Sequence, residues 1–261
     1  MMPHGTLDGI PLWGVFVFTW LLVLIAVESG FIFGRRRHGR EAGEQAGAVG
    51  TMVGSTVGLL AFMLAFAFSF ASSRVDVRRT ALTNEANAVG TTYLRAEMLS
   101  EPHRSEVRKL LREDVDLQLE AVSSIEIEGR LARLDSIHNQ LWQHAAAVGR
   151  ENPQSEMIGL FVESLNESIE QTAVRLMAYR TRVSTSVWFV LYTLTFFAIL
   201  AMGYHMGLTG TTRSPAVVVM AVSFALVICL VADLDRPHEG RIRVNQQPLI
   251  DLQTMMRADT H

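Results

Sequence analysis

The hydrophobic residues of the sequence fall into four long runs. Residues 11–33, 49–73, 183–208 and 215–231 contain no lysine or arginine and at most one acidic residue each. A helix needs roughly 17–25 residues to cross the hydrocarbon core of a bilayer, and all four runs meet this length. The pattern predicts an all-α membrane protein with four transmembrane helices.

The region between the second and third runs has a different pattern. Residues 74–182 are rich in charge, and apolar residues recur at helical spacing within 110–122 and 131–145. We therefore predict a helical cytosolic domain between the second and third spans. The predicted divisions of the chain are an N-terminal segment with spans 1 and 2 (1–73), the cytosolic helical domain (74–182), spans 3 and 4 (183–233) and a cytosolic C-terminal tail (234–261).

Helix-breaking residues are scarce at both junctions of this domain. No glycine or proline lies between Gly58 and Gly90, so the second span is expected to continue beyond the membrane as one helix. The last helix of the domain, which starts near Pro153, is likewise expected to run directly into the third span. The domain would then be joined to the membrane by two continuous helices.

The distribution of arginine predicts the orientation in the membrane. Nine arginines near the membrane, within 74–79, 175–182 and 236–243, lie on the side of the helical domain, against five at 35–40 and 213. Positive residues are in excess on the cytoplasmic side of inner-membrane proteins, so both termini are expected in the cytoplasm. The dense arginine loop at 35–40 favours the opposite orientation.

Composition excludes several other classes of protein. A content of 49% hydrophobic residues exceeds what a soluble core requires, and a net charge of −3 gives no support to nucleic-acid binding. The eight histidines are scattered, and the single cysteine, Cys229, lies inside the fourth run. Because no catalytic or ligand-binding motif is present, we predict neither an enzyme nor a cofactor or metal site.

The second run begins with regularly spaced glycines. Gly50, Gly54 and Gly58 are four residues apart and form two overlapping GxxxG motifs. In a bilayer, small residues at this spacing allow two helix backbones to approach closely. We predict that these glycines form a helix-packing surface, although glycine is also frequent in membrane helices that make no such contact.

Four phenylalanines follow in the stretch GLLAFMLAFAFSF at 58–70. A step of four residues advances roughly 400° around a helix, so Phe62, Phe66 and Phe70 share one face while Phe68 lies away from it. Such a stripe is typical of core packing or lipid contact. If several copies of the helix surround an axis, the same rings would instead narrow a pore and gate it by dewetting.

Two further blocks resemble a known family. These are FASSRVDVRRTALTNEANAVGTTYLRAEML at 70–99, after the second run, and ADLDRPHEGRIRVNQQPLIDL at 232–252, after the fourth. Together they are similar to the bacterial bestrophin-like membrane proteins, a family of unknown function that is remotely similar to bestrophin channels. The resemblance covers most of the chain, while the region between the blocks is not diagnostic.

The resemblance has consequences for assembly and function. Bestrophins are pentameric ion channels with four spans, cytoplasmic termini and an apolar pore neck on the second helix at positions i, i+4 and i+8. The resemblance to this family implies a homo-pentamer in the inner membrane and a neck formed by Phe62, Phe66 and Phe70. It also implies that ions, most simply anions, are the permeating species. The acidic cluster of calcium-regulated bestrophins is not matched by this tail, so no calcium site is expected.

Other polar residues have two interpretations each. Asn87, Thr91 and Arg95 belong either to a hydrogen-bond network between helices or to an ion pathway below the neck, where Arg95 would attract anions. Glu28, inside the first run, is a functional candidate or reaches the interface and pairs with Arg35. The residues Asp233, Asp235 and Arg236 are candidates for gating or for the membrane exit of the fourth span.

Two hypotheses for function follow. The first is an oligomeric ion channel whose pore is lined by the second transmembrane helix. The alternative is a membrane scaffold or sensor that does not conduct and that acts through its helical cytosolic domain. In the first case the three phenylalanines contact the ion path, whereas in the second they pack against protein or lipid.

Overall fold

The structure of the protein is a computed structural model that describes residues 9–38, 42–120, 127–210, 215–237, 240, 242 and 244–259, with side chains omitted at 42–45 and 127–128. These residues form α-helices and one short 3₁₀ helix, Ala96–Met98, and none of them lies in a strand. The α-helices are α1 (Leu12–Arg36), α2 (Ala42–Arg95), α3 (His103–Leu119), α4 (Ile127–Glu151), α5 (Glu156–Arg180), α6 (Thr185–Leu208), α7 (Ala216–Asp235) and α8 (Gln247–Ala258).

The prediction of an all-α fold with four candidate membrane-spanning helices is confirmed for the described residues. Four helical segments are long and apolar enough to cross a membrane, and they include α1, most of α2, α6 and α7. Each contains one of the four hydrophobic runs of the sequence.

The chain divides into two compact units. We call residues 1–75 and 180–243 the span unit, because they contain the four hydrophobic runs, and residues 76–179 and 244–261 the charged unit. The C-terminal segment from 244 onward belongs to the charged unit, although the sequence analysis treated 234–261 as a separate tail. Each unit has its own buried apolar core.

Helix α2 is continuous, as predicted. It contains 54 residues, Ala42–Arg95, and no proline, so no backbone N–H of its interior is missing from the ladder of hydrogen bonds. At 1.5 Å per residue the helix is roughly 80 Å long, far more than the ~30 Å of a bilayer core. Much of α2 therefore lies outside the hydrocarbon.

The prediction that the last helix of the domain runs directly into the third span is wrong. Helix α5 ends at Arg180, and residues 181–184 are not helical. The N–H of Val183 donates to Oδ1 of Asp235, 2.8 Å away, instead of to a carbonyl of α5. The side chain of Ser184 then caps α6 by accepting from the N–H of Ser186. A tertiary contact therefore ends the helix where the local sequence alone would extend it.

The core of the charged unit is formed by α2 to α5 and closed by α8. Three residues of α8, Leu249, Leu252 and Met256, are buried against it, and the hydroxyl of Tyr93 donates to the carbonyl of Met256 over 3.2 Å. A Cβ on Gly90 would lie 3.1 Å from Leu252, so a small residue in α2 leaves room for α8. The C-terminal helix is therefore part of this unit.

Candidate functional site

The phenylalanine stripe of α2 faces away from the core of its own unit. The exposed fractions of Phe62, Phe66 and Phe70 are 65%, 56% and 36%. Phe68, which periodicity separates from this stripe, is also exposed, at 41%. Within a single chain the three rings therefore do not pack in the interior.

The opposite side of the same helix is packed. Leu60, Leu64, Ala67 and Ala71 have exposed fractions of 7% or less and belong to the apolar core of the span unit. These residues alternate with the phenylalanines at helical spacing, so core packing fixes the rotation of α2 about its axis. The exposed rings are held in a defined direction by the buried face.

Hydroxyl side chains continue the exposed face on both sides of the rings. Thr51 and Ser55 precede the rings, Ser69 lies between Phe66 and Phe70, and Ser73 follows the rings; all four are exposed. The hydroxyl of Ser55 donates to the carbonyl of Thr51 at 3.0 Å, so the helix satisfies it without another protein group. The result is a phenylalanine band, residues 62–70, that contains the exposed hydroxyl of Ser69 and has small polar residues on both sides.

Phe70, the last of the three phenylalanines along the chain, has a charged neighbour. The guanidinium carbon of Arg74 lies 4.6 Å from the centre of the Phe70 ring. A cation at this distance over an aromatic face is attracted by the negative potential of the ring. This contact places a positive charge at the Phe70 end of the phenylalanine band.

The three glycines of the GxxxG motifs in α2 have unequal surroundings. A Cβ added to Gly50 would lie 2.9 Å from Nε2 of His205 on α6, whereas a Cβ on Gly54 or Gly58 would have nothing within 4 Å. Gly50 is thus at a close approach inside the span unit. Gly54 and Gly58 present bare backbone to the surroundings of the chain, and their role in helix packing stays a prediction.

The polar residues further along α2 lie in the charged unit. Asn87 and Thr91 are exposed, and the hydroxyl of Thr91 donates to the carbonyl of Asn87 at 2.9 Å. Nη1 of Arg95 donates to the carbonyl of Leu160 at 2.6 Å, which ties α2 to α5. Sequence reasoning missed that Thr80 and Asn84 are exposed on the same face of the helix.

Glu28 lies in the middle of α1, on the wall of a groove. The groove has a volume of about 560 Å³ and is bounded by α1, α6 and α7. Glu28 is half-buried there, among apolar side chains such as Leu24 and Val217. The structure thus places this acid beside hydrophobic surface, and its functional role stays a prediction.

The candidates at the end of α7 are buried. The exposed fractions of Asp233, Asp235 and Arg236 are 7%, 6% and 3%. Asp235 accepts from the N–H of Val183, and its backbone carbonyl accepts from the guanidinium of Arg182. A Cβ on Gly240 would lie 2.6 Å from the carbonyl oxygens of Asp233 and Arg236, so glycine is required at this turn. These residues join the start of α6 to the end of α7.

A glycine contact between α1 and α6 was missed by the sequence analysis. Cβ atoms on Gly30 and Gly34 would overlap the carbonyl oxygens of Leu200 and Tyr204 of α6. Cβ atoms on Gly203 and Gly207 would overlap carbonyl oxygens of α1 in the same way. The sequence contains a signal for this contact, because GFIFG at 30–34 and GYHMG at 203–207 are both GxxxG motifs, which favour close helix packing.

The fold and this site together define an all-helical membrane protein with an exposed phenylalanine face on its longest apolar helix. Comparison with family models finds a match to the bestrophin-like domain over residues 20–249. Because this match covers most of the chain, the protein belongs to the bestrophin-like family. The predicted family resemblance is confirmed.

Solved structures share the fold at low sequence identity. A mutant of a bacterial bestrophin homologue from Klebsiella pneumoniae is similar with a TM-score of 0.60 and 15% identity, over 92% of this chain and 98% of that one. Two mutant structures described as a membrane protein are similar with TM-scores of 0.57 and 0.56 and 16% identity, each over 95% of this chain and 96% of the other. The comparison with curated proteins finds no match.

Proposed function

We propose that several copies of this chain assemble around an axis lined by α2 and form an ion channel in the membrane. Membership of the bestrophin-like family and the shared fold support this assignment. The observation that carries it is the exposure of Phe62, Phe66 and Phe70 on a helix whose other face is buried. An exposed ring stripe on a fixed helix face needs either lipid or further copies of the chain to cover it.

In the proposed assembly the three phenylalanines form the neck of the pore. Rings from each copy would stack in three layers and exclude water when closed, which is a hydrophobic gate. The exposed hydroxyls of Thr51, Ser55 and Ser73 would line the wider pore on the two sides of the neck, and that of Ser69 would lie within the neck. By similarity to bestrophins the assembly contains five copies, and Gly54 and Gly58 allow neighbouring helices to pack closely.

The orientation and the ions follow from the same resemblance. The helical domain between the second and third spans and both termini would lie in the cytoplasm, with the protein in the inner membrane. Asn87, Thr91 and the half-buried Arg95 would line the cytoplasmic part of the pathway. The charge of Arg95 would favour anions, since a positive side chain beside a narrow pathway attracts them. Glu28, Asp233, Asp235 and Arg236 would then act on gating or on the membrane exit from outside the neck.

Ion flux from liposomes tests this function. Replacing Phe62, Phe66 and Phe70 together by Ala removes the apolar constriction, and flux through the reconstituted protein is expected to rise at least several-fold. A matched variant replaces Phe33, Phe189 and Phe197 by Ala, since these rings are also exposed, at 56%, 71% and 58%, but lie on α1 and α6. This control should leave flux unchanged.

Absence of ion flux in both proteins would contradict the proposed channel. If the wild type and the α2 variant are both silent while the variant remains folded and oligomeric, the phenylalanines do not gate an ion path. A non-conducting scaffold or sensor that acts through the helical domain would then account better for the family fold.

A further inference from the structure

Four ionisable side chains lie together inside the charged unit. Glu85 of α2 and Asp114 of α3 have exposed fractions of 0% and 1%, and Arg175 of α5 has 9%. The side chain of His138 on α4 is 13% exposed. Charged side chains are seldom buried to this degree, so a core that joins four helices through them is unusual. Glu85 lies twelve residues beyond Ser73, the end of the hydrophobic run, and so belongs to the part of α2 outside the membrane.

The contacts divide these groups into two pairs. Nε of Arg175 lies 2.6 Å from Oε2 of Glu85, and Nε2 of His138 lies 3.4 Å from Oδ1 of Asp114. Nε2 of Gln118 donates to the other oxygen of Asp114 at 3.0 Å. Oε1 of Gln118 has no hydrogen-bond partner among the described residues. Two acids therefore share one buried region with one arginine and one histidine.

The titratable and polar groups around the cluster come from every helix that packs against it. On α5, Thr172 and Tyr179 lie near Glu85, and Tyr179 also lies near Arg175. Three further charged residues interact electrostatically with members of this group. Arg78 on α2 lies near Tyr179. On α4, Asp135 lies near His138 and Arg130 lies near Arg175. Arg175 therefore favours the ionised form of Glu85, whereas the nearby acids favour the protonated form of His138.

Burial is the main influence on Glu85. Removal from water disfavours the carboxylate, and this effect outweighs the nearby Arg175 and Thr172, so the pKa of Glu85 rises to about 7. The charge of Asp114 acts in the same direction. For His138, burial lowers the pKa, but the neighbouring carboxylate of Asp114, with Asp135 and Glu85, outweighs this effect and raises the pKa above its ordinary value. Both groups therefore hold protons at a higher pH than they would in water.

We propose that this buried cluster of two acids, one histidine and one arginine from four helices is a proton-binding site through which pH regulates the protein, with Glu85 and His138 as the groups that take up protons. Uptake of one proton by each of these two groups changes the formal charge of the four groups by two units inside a core of low polarity. Glu85 lies on α2, the helix to which the proposed function assigns the pore, so proton uptake acts on a helix that lines the ion path. Proton binding itself does not depend on the proposed function.

The sign of the effect on stability follows from the two pKa directions. The folded unit binds protons on Glu85 and His138 more tightly than the unfolded chain does. The stabilisation from neutral Glu85 is therefore complete below the ordinary carboxyl value of 4.5 and is lost as the pH rises through about 7. The contribution of protonated His138 is complete below 6.5 and is lost at higher pH. The charged unit is expected to be more stable at pH 6 than at pH 8.

Infrared spectroscopy of the full chain in detergent tests the site without any need for conduction. A protonated carboxyl has a C=O stretch that ionisation removes, and in the wild type one such band should disappear with a midpoint near pH 7. Labelling glutamate with ¹³C at the carboxyl carbon should shift this band, which identifies it as a glutamate without a variant. In Glu85→Gln the band should be absent, whereas Glu167→Gln, an exposed glutamate on α5, should retain it.

Each outcome bears on the proposal. A labelled band near pH 7 that is lost in Glu85→Gln supports it, as does a smaller difference in melting temperature between pH 6 and pH 8 in that variant. The proposal is overturned if no glutamate of the wild type titrates between pH 6 and 8, or if the band persists in Glu85→Gln. Because the label reports on the wild type, the result stands even if the variant fails to fold. A silent protein in flux assays would contradict the channel and leave this result unaffected.

Discussion

Asp235 illustrates how single residues at the end of α7 hold the span unit together. Its carboxylate accepts from the N–H of Val183, and its carbonyl accepts from Arg182. Residues 181–184 leave the helical conformation at this point, so the N–H of Val183 depends on this carboxylate. The acidic residues that the sequence suggested for gating therefore have at least one structural partner that a gating role would have to release.

Replacing Asp235 by Ala should destabilise the span unit. The buried N–H of Val183 would lose its acceptor, and an unsatisfied buried group costs roughly 1–3 kcal/mol. The melting temperature of the protein in detergent should fall, while Asp135→Ala, an exposed aspartate on α4, should have a much smaller effect. Equal melting temperatures for the two variants would show that the contact with Val183 contributes little.

At the scale of helices, the contact between α1 and α6 depends on glycine. Gly30 and Gly34 of α1 face backbone carbonyls of α6, and Gly203 and Gly207 of α6 face carbonyls of α1. Close approach of backbones replaces the hydrophobic effect as the source of helix association in a bilayer. This reciprocal arrangement is what a pair of GxxxG motifs on two helices predicts, whereas no helix among the described residues lies within 4 Å of a Cβ at Gly54 or Gly58 on α2.

A methyl group at this contact should separate the two helices. In Gly203→Ala the new Cβ would overlap the carbonyl oxygen of Val27, which is backbone and cannot rotate away. Overpacking of this kind costs about 1–3 kcal/mol, so the unfolding free energy in mixed micelles should fall by that amount. Gly159→Ala on α5 is the control, because its Cβ would meet nothing within 4 Å and alanine favours a helix. A decrease of the same size in both variants would contradict the contact.

At the scale of the whole molecule, the sequence predicted the architecture because lipid imposes simple length rules. The four spans and the continuous α2 follow from apolar runs and the absence of proline. The end of α5 and the packing of α8 could not be read from local patterns, because they depend on Asp235 and Gly90 meeting residues far away in the chain. Where the sequence contains no proline, tertiary contacts determine the residue at which a helix ends.

The candidate site was predictable only in part. Spacing placed Phe62, Phe66 and Phe70 on one face, but periodicity alone does not distinguish a buried face from an exposed one. The buried partners Leu60, Leu64, Ala67 and Ala71 establish the direction of that face. The cluster of Glu85, Asp114, His138 and Arg175 was not predicted, because four residues from four helices share no sequence spacing.

The most direct test of the central claim, that α2 lines an ion path, is modification of single cysteines during flux measurements. Cys229 is the one cysteine of the sequence, so Cys229→Ser provides a background without thiols. In this background, Phe66→Cys places a thiol on the proposed pore face and Phe68→Cys places one on the same helix away from it. A charged thiol reagent should change the ion flux of the Phe66→Cys protein several-fold and leave the Phe68→Cys protein unaffected. Flux that is insensitive at position 66, or equally sensitive at both positions, would contradict a pore lined by this face of α2.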